Sequence, residues 1–368
     1  MMRDAPELSV IVPAHNAAPF LERVLGALSA SDLPRDLWEL IVVDDGSTDG
    51  TADIAARYAD KVVRLPGKPQ GPAYARNRGV EQSCGKILVF LDADVVVHSD
   101  TLSRFSALLA ARPEVGAVFG AYDVFPSAHN LVSRYRNLLH SYVHSRNPGP
   151  SETFWAGAGA VRRGAFLEAG MYDEWHYPLP QIEDIELGAR IRDQGWIILL
   201  DPSIEVTHLK KWTLRGMLQT DFKHRGVPWA RLLAHRGRAL HGGSLNVSLA
   251  EKLKTALAWV GVALVAGGLW KGNEYMALSG LSVALGVVAA CAPFLRFLAR
   301  VGGAKLMLAA IPLHYTYYLL NAVSFVVGLF LVQLIGPPVR DAVTTAYAEV
   351  GAERWPPIPR KGRSIWNE

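Results

Sequence analysis

The 368-residue sequence predicts an α/β domain on a mostly parallel sheet, followed by an apolar helical region. Three observations predict it. Short apolar runs alternate with helical patterns over residues 8–97. Polar clusters at 13–16, 44–49 and 92–94 each follow the carboxyl end of such a run. Beyond about residue 255, three stretches (255–270, 275–295 and 306–339) carry no Lys, Arg, Asp or Glu.

Residues 8–12 (LSVIV) read as a strand closed by Pro13, and Leu21, Val24, Leu25 and Leu28 recur at helical spacing after it. Residues 39–43 (ELIVV) are a second buried strand, entering the turn 44–49 and a helix over 52–58. A shorter strand spans 61–65. Residues 66–72 (PGKPQGP) hold too many breakers for regular structure. A helix over 73–82 carries Arg76, Asn77 and Arg78, and residues 87–91 form a strand buried on both faces. This alternation gives parallel strands with helices on both sides. Ligands of such sheets bind beyond the strand carboxyl ends, where all three polar clusters fall.

The residue types suggest what binds there. Asp44 or Asp45 suits the N–H groups of a uracil or guanine base, and Pro13, His15 and Asn16 flank it from the first loop. Lys68 and Arg76 suit a diphosphate. Asp92 and Asp94 repel one another, and a divalent cation, Mg²⁺ or Mn²⁺, held by Asp94 with Asp92 relieves that. The bland alternatives are a solvated acidic turn for Asp92 and Asp94, a surface salt bridge for Arg76 and helix capping for Asp49. Convergence of three clusters on one sheet edge favours a site.

PAHN at 13–16, ELIVVDDGSTDG at 39–50, GPAYARNRG at 71–79 and FLDAD at 90–94 resemble the family 2 glycosyltransferases of the GT-A fold. Trp155-Ala156-Gly157 resembles their donor-sugar segment, and Glu183-Asp184 with the following IELGARIRDQGW their acceptor-side motif. The resemblance covers about residues 8–230. It implies an inverting, metal-dependent transfer from a UDP- or GDP-sugar. Asp184 becomes the general base, Asp94, Asp92 and His208 the metal site, and Trp155, Gly157 and Glu183, with Gln219 and Arg225, the donor and acceptor pocket. Independently, a proline-rich break at 178–180 and acids in the first turn suit a helix start at 183. The processive Gln-x-x-Arg-Trp pattern is missing: Gln219 is followed by TDFKHRG, so a non-processive enzyme is expected. The helical pattern over 130–144 reads as amphipathic.

The expected domains are a catalytic 1–240, a transmembrane or interfacial 241–340 with runs at 253–271, 275–295 and 306–336, and a basic tail at 341–368. A bilayer core takes about 20 apolar residues per helix. Pro312 is expected to separate an interfacial lead-in from a span at 315–335. No signal-peptide pattern opens the sequence, so the catalytic domain is expected on the cytoplasmic side of a multi-pass plasma-membrane protein. Three spans then put the tail outside, yet Arg340, Arg354, Arg360, Lys361 and Arg363 favour inside.

Hydrophobic residues make up 50% of the chain and charged ones 20%, the charges crowded into the first 250 residues. No basic-aromatic array points to nucleic acid. Cys84 and Cys291 support neither a disulfide framework nor a zinc site. The expected acceptor is a lipid-linked or membrane-proximal glycan in cell-envelope or exopolysaccharide synthesis. The rivals are transfer to a polyprenyl phosphate, which needs no base, and a non-catalytic membrane assembly subunit. Oligomeric state, donor sugar and linkage are not legible in the sequence.

Overall fold

The computed structural model describes residues 6–237 and 248–336. The expected boundary at 240/241 and the basic tail at 341–368 lie outside the described residues. The chain packs into two compact units, Met1–Asp123 with Pro148–Leu209, and Val124–Asn147 with Lys210–Pro338. Residues 124–147 and 210–237, expected in the catalytic domain, thus group with the apolar helices.

The first unit begins β1 (Leu8–Ala14), α1 (Ala18–Ser29), β2 (Trp38–Asp45), α2 (Thr51–Ala55), β3 (Lys61–Leu65), α3 (Pro72–Glu81) and β4 (Ile87–Leu91). β5 (Val95–Val97), α4 (Thr101–Ala111) and β6 (Val115–Tyr122) follow. The chain then makes α5 (Leu131–Ser145) in the second unit. It returns for β7 (Gly149–Ser151), β8 (Ala158–Arg162), α6 (Arg163–Glu168), α7 (Glu183–Asp193) and β9 (Ile197–His208). The sheet order is β3-β2-β1-β4-β8-β6-β9-β5, with β7 on β9. β1 to β4 pair in parallel, and β6 pairs in parallel with β9. The strand β8 is antiparallel to both β4 and β6. Two reversals cancel, so β1, β2, β4, β6 and β9 all end at one edge, and β8 starts there.

β2 and β4 are buried along their whole length, which explains the continuous apolar runs at 40–43 and 87–91. α1 opens at a proline in its first turn and buries Leu21, Val24, Leu25 and Leu28 on the sheet. α7 opens with Glu183, Asp184 and Glu186 and closes with Arg190 and Arg192, each sign at the helix end that favours it.

The second unit holds α5, α8 (Leu214–Gln219), a π-helical stretch Thr220–Gly226, α9 (Val227–His235), α10 (Leu249–Lys271), α11 (Glu274–Ala290) and α12 (Ala292–Ile335). α5 starts at Asn130, whose side chain accepts the Ser133 N–H. α10 and α12 are long and apolar enough to cross a membrane, whereas α11 has 17 residues. Pro312 does not divide the third run as expected. The helix continues through it and breaks instead at Gly303 (φ 80°), a conformation open to a residue without a Cβ.

Candidate active site

The loops after β1 and β2 form one knot at the sheet edge. Asn16, at φ 48°, accepts the Thr48 N–H on its side-chain oxygen at 2.9 Å, while its own N–H donates to Ser47 Oγ at 2.9 Å. His15 Nδ1 lies 2.8 Å from the Asp45 carbonyl, and Asn16 Nδ2 lies 3.1 Å from His15 Nε2. Asp49 accepts the N–H of Thr51 at 3.0 Å and that of Ala18, in α1, at 3.2 Å. It therefore serves the helix after β1 as well as the one after β2. Desolvation opposes its charge, but the bonds from Thr51 and Ala18 prevail and hold its pKa low. Pro13 is half-buried beneath this knot.

The neighbouring acids separate in role. Asp45 is buried and accepts the N–H groups of Gln70 (2.9 Å) and Gly71 (2.7 Å), fixing the 66–72 loop. Asp44 accepts the Ser47 N–H through Oδ1 at 3.1 Å. Asp45 is thus bound into the loop scaffold, which leaves Asp44 the better candidate for a base. Lys68 is exposed on the same loop.

Arg76 departs from expectation. It is buried and bridges two carboxylates, donating to Glu183 Oε1 at 2.9 Å and Asp92 Oδ1 at 2.7 Å, with the Tyr172 ring 5.4 Å from its guanidinium. It acts as the tie between the Asp-x-Asp turn and the start of α7. Burial opposes its charge, but Asp92, Tyr172 and Glu183 prevail and keep its pKa above the ordinary arginine value. Asp92 is pushed up by burial against the pull of Arg76, with Asp94 and Glu183 adding to the rise. Glu183 also accepts the Gln181 N–H at 2.9 Å.

The antiparallel pairing of Val95 with His208 brings the end of β9 to the Asp-x-Asp turn. Asp94 Oδ2 lies 3.7 Å from His208 Nε2. Among the described residues no three of His, Cys, Asp and Glu form a ready cage. Asp94 and His208 are oxygen and nitrogen donors close enough together to hold a divalent ion between them, whereas Asp92 is already bonded to Arg76.

Asp184 Oδ2 accepts the Ala156 N–H at 3.1 Å, and Oδ1 accepts the Ile185 N–H at 2.8 Å. The carboxylate is thus set against the Trp155-Ala156-Gly157 segment. Trp155 is buried, and a Cβ on Gly157 would sit 2.5 Å from its indole. Gln219 and Arg225 fall in the second unit, at the end of α8 and in the π-helical stretch.

Three contributors escaped the sequence reading. Tyr122 stacks on His208 (centroids 4.5 Å apart) and meets Trp155 edge-on at 4.8 Å. Asp123, buried, accepts from Thr207 Oγ1 and lies 3.4 Å from His98 Nε2. Both end an apolar run, 115–122, just as Asp92 does, so the same signal was there to be used. Asn77 bonds the backbone of Tyr172 in both directions (2.9 and 3.1 Å) and reaches Glu174 at 2.7 Å, fixing the segment before α7.

A parallel sheet edge carrying an Asp-x-Asp turn, tied through a buried arginine to an acid-led helix, defines a glycosyltransferase domain of the GT-A fold. The glycosyl transferase family 2 signature matches residues 9–169. The N-acetylglucosaminyl-diphospho-decaprenol L-rhamnosyltransferase of Mycobacterium tuberculosis is 31% identical over 239 residues, covering 55% of this chain and 76% of that protein. The chain belongs to glycosyl transferase family 2. Glycosyltransferase AglE of Haloferax volcanii is 39% identical over 140 residues, 37% of this chain and 46% of that one. The chain spans about half the length of that relative and of the Bacillus subtilis protein YdaM, a probable glycosyltransferase 27% identical over 220 residues and 55% of this chain. The mannosyltransferase PcManGT from Pyrobaculum calidifontis, solved with GDP-Man and Mn²⁺, shares the fold. Its TM-score is 0.52 at 22% identity, over 88% of this chain and 87% of that one.

Proposed function

We propose that the chain is an inverting, divalent-metal-dependent glycosyltransferase that moves a sugar from a UDP- or GDP-sugar to a lipid-linked or membrane-proximal glycan. It works at the cytoplasmic face of the plasma membrane, in cell-envelope or exopolysaccharide assembly. The observation that carries this is the Arg76 bridge: one buried guanidinium joins Asp92 to Glu183, and so ties the Asp-x-Asp turn to the start of the helix that carries Asp184.

In this reading Asp44 takes the base, and the knot around Asn16 walls the nucleoside. Asp94 and His208 would hold a divalent cation, which would supply charge neutralisation for a diphosphate leaving group. Trp155 and Gly157 shape the space for the donor sugar. Asp184, its carboxylate oriented by the Ala156 and Ile185 N–H groups, takes the acceptor hydroxyl proton as that oxygen bonds to the anomeric carbon. The bond from that carbon to the diphosphate oxygen breaks on the opposite side, and the nucleoside diphosphate leaves with the electron pair. The acceptor class is supported by the 31%-identical relative, whose name gives a diphospho-decaprenol acceptor. Membrane attachment is supported by α10 and α12.

The test is a thermal-shift and donor-hydrolysis screen of nucleotide-sugars with Mn²⁺, Mg²⁺ or EDTA, run beside Asp94→Ala. Stabilisation by one donor only with metal, lost in Asp94→Ala, is expected. A flat response to every donor overturns the reading and favours the non-catalytic subunit.

A further inference from the structure

The helices of the second unit bear on how many times the chain crosses the bilayer. This rests on the membrane attachment proposed above. Among the described residues before Leu249, no helix is long and apolar enough to cross. α5, α8, the π-helical stretch and α9 therefore share one side of the membrane.

α12 is fixed to those segments near both ends. Toward its start, Leu298, Leu306 and Ala310 share a buried cluster with Tyr135 and Leu138 of α5 and Met217 of α8. His314 Nδ1 lies 3.0 Å from the Tyr135 hydroxyl. Toward its end, a Cβ on Gly226 would strike Ser324, and one on Gly328 would sit 2.5 Å from the Ala230 Cβ. The backbones abut there, and Arg231 of α9 donates to the Gly336 carbonyl at 3.0 Å.

Between these anchors α12 meets the beginning of α10. Tyr318 donates to Glu251 at 2.9 Å, Tyr315 to the Ala258 carbonyl at 2.9 Å, and Trp259 to the Leu319 carbonyl at 3.0 Å. These bonds fall within residues 251–259. α10 and α11, by contrast, lie against each other as far as their connecting turn: Gly261 abuts Gly280, and Gly268 abuts Ala277.

A helix whose two ends are packed on segments from one side of a bilayer does not cross it. From Gly303 to Ile335, at 1.5 Å per residue, it reaches about 48 Å, well beyond the about 30 Å hydrocarbon thickness. Its outward face, with Leu308, Val326, Phe330 and Leu334 all more than half exposed, suits the acyl boundary of a single leaflet.

Charge agrees. The described residues of the second unit hold 16 Lys and Arg against three Asp and Glu. Exposed Lys210, Lys211 and Arg215 precede the hairpin, and exposed Arg296, Arg300 and Lys305 follow it. The turn between α10 and α11 carries only Lys271, with Glu274 beside it. Such asymmetry marks the base of the hairpin as the cytoplasmic, anionic-lipid side.

We infer that α10 and α11 form a single inserted hairpin, and that α12 lies along the cytoplasmic leaflet, leaving the chain at Gly336 on the side of the catalytic domain. Two crossings then reconcile a cytoplasmic catalytic domain with a basic tail, which three crossings did not.

The test uses the full chain in right-side-out and inverted membrane vesicles, with a membrane-impermeant maleimide. Exposed Cys84 reports the catalytic side. In a Cys291→Ser background, Ala352→Cys is expected to label in the same vesicles as Cys84. With Cys84 also replaced by serine, Lys271→Cys is expected to label only in the opposite ones. Labelling of Ala352→Cys together with Lys271→Cys, opposite to Cys84, overturns the inference in favour of three crossings. Labelling of all three sites from one side, with release of the chain by alkaline carbonate, overturns the membrane reading itself.

Discussion

Replacing Arg76 by methionine removes the cation that bridges Asp92 and Glu183. The Glu183 side chain is only 6% exposed, whereas Asp92 retains 36%. Breaking a buried ion pair from one side costs about 3–5 kcal/mol, because the remaining charge stays buried. The partial solvation of Asp92 relieves part of this, so the lower end, about 3 kcal/mol, is the expectation. For a domain of roughly this size each kcal/mol shifts Tm by about 2–4 °C, giving a fall of about 6–12 °C at pH 7. The loss is expected to depend on pH. Asp92 already has a raised pKa in the folded chain, and losing the Arg76 charge that holds it down pushes it up further. A carboxyl raised on folding binds its proton more tightly in the native state. It therefore destabilises above its unfolded pKa of about 4, and progressively less as pH falls toward that value. Thermal unfolding of wild type and Arg76→Met followed by near-UV circular dichroism from pH 7.5 to 5 reads both effects. A deficit under about 1 kcal/mol, or one that widens on acidification, would refute the assignment of Arg76 as the tie between the two motifs.

Other substitutions probe the remaining parts. Asp184→Asn is expected to lower sugar transfer by about 10²–10⁴-fold while leaving the donor-induced thermal shift intact. Full retained activity would favour a polyprenyl phosphate acceptor, which needs no base. Gly157→Ala places a methyl 2.5 Å from the Trp155 indole, so donor-sugar turnover should fall with little change in affinity for the free nucleoside diphosphate. Equal losses of both would count against a sugar-pocket role. Asp45→Ala frees the Gln70 and Gly71 N–H groups and should speed amide exchange and proteolytic nicking at residues 66–72, with the rest of the sheet unchanged.

The strands at 8–12, 39–43 and 87–91 were readable because each is buried on both faces and so is almost wholly apolar, the exceptions Ser9 and Glu39 being bonded to each other. Asp92 and Asp94 stood out for the same reason, as acids ending an apolar run. The partner of Arg76 was not readable, since Glu183 lies 107 residues away and no local pattern encodes that pairing. Nor was the pairing of β5 with β9, which carries His208 to Asp94. Asp44 and Asp45 look alike in sequence, and only the fold of the 66–72 loop separates them. Pro312 misled because a proline's missing N–H is a local cost, which the packing of α12 overrides, while Gly303 supplied a cheaper place to bend.

The knot between the first two loops has a consequence for altering nucleotide preference. Asn16, Ser47, Thr48 and Asp49 exchange bonds across more than thirty residues of sequence, and Asp49 also holds the start of α1. Residues 15–18 and 45–51 are thus one mechanical part made of two chain segments. Edits confined to the second segment will displace the first. Substitutions at Asn16 and Thr48 will therefore combine non-additively, and a swap of base specificity must transplant both segments together.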